Sequence, residues 1–231
     1  AVTQTPMTPI VGRLGDKFGR RPFIIFGLII YVVVGLGFAA ATNYYEVAFY
    51  RMIMGMGAAC MFPSAFGTVG SLAPEGQEGR YMGLFMVSFT AGFGIGPMIG
   101  GILTDAFGRD ITFLSLAGSA LVAIILVATL MPQRAMSQRP TTQASGSLKS
   151  MLKDPHVLAL FTFNIGFGLS IGCVMTFIAI FMTDALGASA TIVGVVVGSR
   201  AIESSFLQPA FGRLADRIAR DKMIIVGGIF L

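Results

Sequence analysis

Apolar residues in this chain fall in blocks of about 20, long enough as helices to cross a hydrocarbon core of roughly 30 Å. The segments between them are short and charged. Six complete spans follow, near Pro22–Ala41, Val47–Leu72, Tyr81–Thr104, Ile111–Met131, His156–Thr183 and Thr191–Phe211. Residues 1–14 read as half of a further helix, interrupted by Pro6 and Pro9, and Met223–Leu231 as the start of another. Pro22 falls in a first turn, where a missing N–H is tolerated. The pattern predicts an all-α polytopic membrane protein.

Residues 132–155, PQRAMSQRPTTQASGSLKSMLKDP, break this rhythm. They are polar, basic and rich in Ser, Thr and Gln, and cannot lie within a bilayer. They predict a flexible linker with a short interfacial helix near Leu148–Lys153. The chain thus divides into an N-terminal half-bundle (1–131), a linker (132–155) and the start of a second half-bundle (156–231).

Composition agrees with the spans: 55% of residues are hydrophobic and 12% charged, about half the charge of a soluble domain. The net charge of +5 does not indicate nucleic acid, because the basic residues sit in loops. With spans alternating in direction, one side receives loops 12–21, 74–80, 132–155 and 212–222, which hold thirteen Lys and Arg. The other side receives only Arg109. The positive-inside rule makes the first side cytoplasmic, and the expected location of this multi-pass protein is the plasma membrane. Cys60 and Cys173 lie alone in apolar spans and read as small buried residues. His156 reads as interfacial.

An internal repeat appears at an offset of 200. Ala1, Pro9, Gly12, Arg13, Leu14, Asp16, Arg20, Ile24, Ile25, Gly27 and Ile29 match the residues 200 positions later, without gaps. Six spans separate the copies, so both lie on one side of the membrane. This is a parallel repeat about an axis along the membrane normal, an arrangement found among transporters.

The loop Gly12-Arg13-Leu14-Gly15-Asp16-Lys17-Phe18-Gly19-Arg20-Arg21 resembles the signature of the major facilitator superfamily, between its second and third helices. The 212–222 segment, with Asp216, resembles the degenerate copy between its eighth and ninth. Arg51-Met52-Ile53-Met54-Gly55-Met56-Gly57-Ala58-Ala59 is similar to the fourth-helix motif. Gly92-Phe93-Gly94-Ile95-Gly96-Pro97-Met98-Ile99-Gly100-Gly101 is similar to the fifth-helix motif of antiporters. The resemblance covers essentially the whole chain. It implies a parallel two-half helical bundle, of which this chain holds the part from within the second helix to the start of the ninth.

Several residues are candidates for function. Gly12 and Gly15 allow a tight turn, and Asp16 can bond to a helix start or pair with Arg20 or Arg80. The resemblance makes this cluster, with Arg13, Arg21 and the weaker Asp216, a latch that breaks during conformational change. Against it stands a plain reading in which the loop only sets topology. Gly92, Gly96 and Gly100 share one helix face, which invites close packing, and Pro97 kinks the span. The resemblance implies that this stretch, Gly101 included, seals the route and favours exchange over leak. Generic helix packing is the competing reading.

Three charges lie within spans, where they are costly. Arg51 sits about 7 Å from one end of its helix, close enough to snorkel outward; the resemblance gives it a part in proton transfer. Arg200 and Glu203 lie near the midplane at i, i+3, close enough to neutralise each other. They are either a structural pair or a coupling site in which Glu203 takes up and releases a proton. Ser204 and Gln208 extend a polar stripe, and Gln4 is the equivalent point in the first half; all three are candidate substrate contacts.

The resulting expectation is a proton-coupled antiporter exporting small, drug-like or amphipathic molecules. It would need no covalent chemistry, metal or cofactor, and would have the bilayer, protons and a small-molecule substrate as partners and act as a monomer. A symporter or uniporter of sugars or organic acids is the first alternative. A non-transporting sensor or scaffold on the same fold is the second.

Overall fold

The computed structural model describes residues 11–12, 14–15, 19–74, 77–131 and 155–217. Among the described residues stand six long α-helices: α1 (Arg20–Ala40), α2 (Tyr44–Leu72), α3 (Glu78–Phe107), α4 (Arg109–Leu130), α5 (Pro155–Asp184) and α6 (Ala190–Arg217). One helix stands on each of the six expected spans. Among the described residues, five helices are long and apolar enough to cross a membrane: α1, α2, Gly79–Phe107 of α3, α4 and Ile165–Asp184 of α5. The chain is a multi-pass membrane protein.

Both sides of α1 are apolar, and the buried one carries glycines among larger side chains. Ile24, Gly27, Leu28, Val34, Gly35, Gly37 and Phe38 are buried, while Phe26, Ile29, Val33 and Leu36 are exposed. Glycines on the packed face suit a helix bathed in lipid, where packing and not water exclusion drives association. The glycines bring backbones together. A Cβ on Gly27 would come within 2.8 Å of the Gly57 carbonyl oxygen in α2, and one on Gly35 within 2.9 Å of the Ala117 nitrogen in α4. An aromatic cluster of Phe38, Tyr50 and Phe113 joins the same three helices, with ring centroids 5.2–6.0 Å from Phe38.

The turns differ from the expected ones in two places. The loop expected at 105–110 shrinks to Gly108, which ends α3 and starts α4 with φ 86°. Only glycine adopts that conformation without strain. The Thr104 and Thr112 hydroxyls bond across this turn at 2.9 Å. At the other end of the chain, α6 continues to Arg217, past the turn expected from residue 212.

The chain groups into two compact units. The first contains α1, α2, α4 and both ends of α3. Edge-on rings join α2 to the first part of α3, Phe62 to Phe89 and Phe66 to Phe85. The second unit contains α5, α6 and Thr90–Gly101 from the middle of α3. The linker expected over 132–155, except Pro155, lies outside the described residues. Cys60 is buried as expected, but Cys173 is exposed, because α5 turns it outward.

Candidate functional site

The charged loop leads into α1. Its tight turn lies at Gly19, the residue before the helix, with φ 87°. Gly12 and Gly15, where that turn was expected, are helical. Among the described residues of the loop, Gly19 alone has a positive φ, a conformation that glycine adopts without strain. The same four positions are helical in both copies of the repeat, 11, 12, 14 and 15 against 211, 212, 214 and 215. Gly15 is buried by contact instead: a Cβ there would lie 3.6 Å from Ser64 Oγ and 3.8 Å from the Arg20 side chain.

The two consecutive arginines diverge. Arg20 is half-buried against α2, and a Cβ on Gly67 would collide with its guanidinium. Gly67 thus leaves the space in which the Arg20 head rests. Arg21 turns the other way and donates from Nη2 to the Ala128 carbonyl in the last turn of α4, at 2.5 Å. A cation on a C-terminal carbonyl satisfies an orphan acceptor and complements the helix dipole. One loop therefore ties the start of α1 to both neighbours. Arg80 is exposed in the first turn of α3. Arg13 and Asp16 lie outside the described residues, as does Gln4; Asp216 and Gln208 lie in α6 with side chains outside them.

The glycine-proline stretch of α3 packs within the second unit on a different face from the one expected. A Cβ on Gly92 or Gly96 would meet nothing within 4 Å, and both residues are exposed. Gly100 is half-buried. The close contact runs through Gly94, Pro97 and Gly101. A Cβ on Gly198 would strike the Gly94 carbonyl, one on Gly194 the Pro97 carbonyl, and one on Gly101 the Ala190 carbonyl. The partners ascend in α3 as they descend in α6, so the segments are antiparallel, and they touch backbone to backbone. Ala190, Gly194 and Gly198 stand four apart on one stripe, so α6 selects which glycines of α3 it meets. At 100° per residue the expected face at Gly92 and Gly96 is rotated away from this stripe.

Arg200 and Glu203 lie on the opposite side of α6 from that seam and are both exposed. The mutual neutralisation expected of them is not formed, since the ion pair among the described residues joins Arg109 to Asp110. The i, i+3 spacing permits that contact without requiring it. The Ser204 hydroxyl donates to its own helix, to the Arg200 carbonyl at 2.8 Å. Arg51 is exposed in α2, and its guanidinium lies 5.7 Å from the centroid of the Phe38 ring. That contact is a cation–π interaction at the aromatic cluster.

Comparison with known proteins decides the family. The family model described as Major Facilitator Superfamily matches residues 1–231. The chain belongs to this superfamily. The multi-drug resistance efflux pump PmrA of Streptococcus pneumoniae is 27% identical over 237 residues, covering 100% of this chain and 58% of PmrA. Multidrug resistance protein 2 of Bacillus subtilis is 26% identical over 232 residues, 97% of this chain and 58% of that protein. An uncharacterized MFS-type transporter of Methanocaldococcus jannaschii is 27% identical over 238 residues, 100% of this chain and 60% of its own length. The chain therefore spans about three-fifths of these relatives.

For this superfamily member, the structure adds residues that motif reading passed over. Ser64 and Gly67 receive the loop, and Ala190, Gly194 and Gly198 receive the α3 stretch. The last three carry a signal, small residues at four-residue spacing on one helix. Gly67 carried none, because its role depends on a side chain from another helix.

Proposed function

We propose that the protein containing this chain is a secondary active transporter that exports small, drug-like or amphipathic molecules in exchange for protons. Two half-bundles, 1–131 and 156–231 joined by 132–155, rock about a central site to expose it to each side of the plasma membrane in turn. The Lys/Arg-rich loops face the cytoplasm. The protein works as a monomer, its partners are lipid, protons and the substrate, and no covalent step occurs on it.

One observation carries this reading: the backbone-to-backbone seam between Gly94, Pro97 and Gly101 and the Ala190, Gly194 and Gly198 stripe. Contact of this kind leaves no gap for solvent and has few interlocking side chains, so it stays closed while the helices pivot. A tight seal is what exchange requires and a leak would defeat. The direction of transport draws support from relatives named for multidrug resistance and efflux.

In the working cycle the Asp16 loop latches the cytoplasmic side, with Gly12, Arg13, Gly15, Arg20, Arg21 and Arg80 around it and Asp216 as the weaker counterpart. Glu203 takes up and releases the coupling proton. Arg200 holds its charge in balance when water or a cationic substrate arrives, and Arg51 tunes a carboxyl group in the first half. A charged Glu203 on an open helix face cannot rest in hydrocarbon, so it must face a polar path or carry a proton. Gln4, Ser204 and Gln208 contact the substrate.

The test is dye transport by the full-length protein in proteoliposomes under an imposed pH gradient. Export should stop when the gradient is collapsed, and Glu203→Gln should abolish coupled transport at near-normal expression. Substrate accumulation that follows the proton gradient inward would overturn the reading.

A further inference from the structure

In the last turn of α1, Gly37 and Phe38 meet two consecutive residues of α2, Tyr50 and Arg51. A Cβ on Gly37 would collide with the Tyr50 ring, so the missing side chain is what admits that ring. Tyr50 then stands edge-on to Phe38 with centroids 6.0 Å apart, and Phe113 of α4 packs on the same ring at 5.2 Å. Phe38 is thereby 5% exposed and held from two helices. The Arg51 guanidinium lies 5.7 Å from its centroid. The acids nearest in sequence to Tyr50 and Phe113 are engaged elsewhere. Glu46 Oε2 accepts from the Thr42 backbone N–H at 2.9 Å, and Asp110 pairs with Arg109. Among the described residues, no carboxylate pairs with Arg51.

We propose, resting on the reading above in which Arg51 acts in proton exchange, that Phe38 is the positioning residue for Arg51. The ring face attracts the cation through its quadrupole and carries no opposite charge. A carboxylate in the same place would also fix the side chain, but it would neutralise it. Phe38 instead holds the guanidinium while leaving its positive charge available to favour the ionised form of a carboxyl group. A long arginine side chain loses rotamer freedom when it is placed, and a ring that is already fixed takes that loss before the proton arrives. Tyr50 and Phe113 supply the rigidity, and Gly37 lets Tyr50 reach its position. The competing role for Phe38, filling space in the aromatic cluster, depends on the shape of the ring and not on its quadrupole.

The test separates the two by placing trifluorophenylalanine at position 38 of the full-length protein. Fluorines on the ring edge drain the π face at nearly constant shape. In proteoliposomes, dye export driven by a pH gradient should slow about fivefold with KM for the dye unchanged. Dye-for-dye counterflow without a gradient, and the thermal midpoint, should stay at wild-type values. Phe38→Leu should lose driven export at least as far, and Phe38→Tyr, which keeps a ring, should retain it. Fluorination that slows counterflow as much as driven export would assign the ring to packing and overturn the proposal. Driven export indifferent to fluorination, while Arg51→Gln impairs it, would overturn the positioning role and leave the reading of Arg51 standing. Unimpaired driven export in Arg51→Gln would overturn that reading, and the role of Phe38 with it.

Discussion

The loop before α1 and the seam on α3 hold helices together by opposite means. The loop uses long charged side chains: Arg21 reaches the Ala128 carbonyl, and Arg20 lies in the space left by Gly67. The seam uses the absence of side chains, with carbonyls of Gly94, Pro97 and Ala190 where a Cβ would otherwise stand. Charge-assisted bonds at the end of a helix can be broken and remade singly, and they weaken with salt. Backbone contact along a stripe either holds along its length or is lost. The first arrangement suits a latch and the second a pivot that must remain sealed.

The largest expected effect breaks the seam. Gly198→Val places a branched side chain on the Gly94 carbonyl, which no rotamer change can relieve, at a cost of about 3 kcal/mol. Gly92→Val, on the open face of the same α3 stretch, should cost far less. Thermal unfolding of both variants in detergent measures the difference. Equal loss would mean that the face at Gly92 is packed as tightly as the one at Gly198, and the contrast would fail.

A smaller effect is expected at the loop. Arg21→Ala removes the cation from the last turn of α4 and should destabilise by about 1 kcal/mol, a loss that shrinks in high salt. Melting at low and high ionic strength checks this, and the seam variants should show no such dependence. A salt-independent loss at Arg21 would make the loop a packing element like the seam.

The smallest effect on stability belongs to Gly67→Ala. Its Cβ meets the far end of a flexible side chain, so the Arg20 head moves aside instead of the backbone. Stability should change by under about 1 kcal/mol, while the transport rate should shift as it does in Arg20→Ala. Dye-export rates of the two single variants and the double variant test this. Additive effects would separate Gly67 from Arg20.

Much of the fold was legible because the bilayer simplifies the problem. A block of about 20 apolar residues has one satisfactory backbone conformation in lipid, so α1 to α6 stand where the blocks do. The candidate site was legible where a residue's own chemistry carries the signal. The arginines of the loop and the glycine-proline stretch of α3 stood out for that reason. It was misread where a face had to be chosen. Gly92, Gly96 and Gly100 share a face, but Gly94 and Gly101 with Pro97 form another, and nothing within α3 ranks them. The pairing expected of Arg200 and Glu203 failed similarly: spacing allows an i, i+3 contact but does not require it.

What the sequence determined by itself is the place of the six described helices and the basic asymmetry of the loops. These depend only on hydropathy and charge counted along one chain. The 200-residue repeat was equally visible there. The tertiary structure alone decided which glycines are approached, where Arg20 and Arg21 go and that Ser64 is buried. Those outcomes depend on what a neighbouring helix presents, as Ala190, Gly194 and Gly198 do to α3 and Gly67 does to Arg20. Backbone contact is set by two surfaces together, and one stretch of sequence specifies only its own.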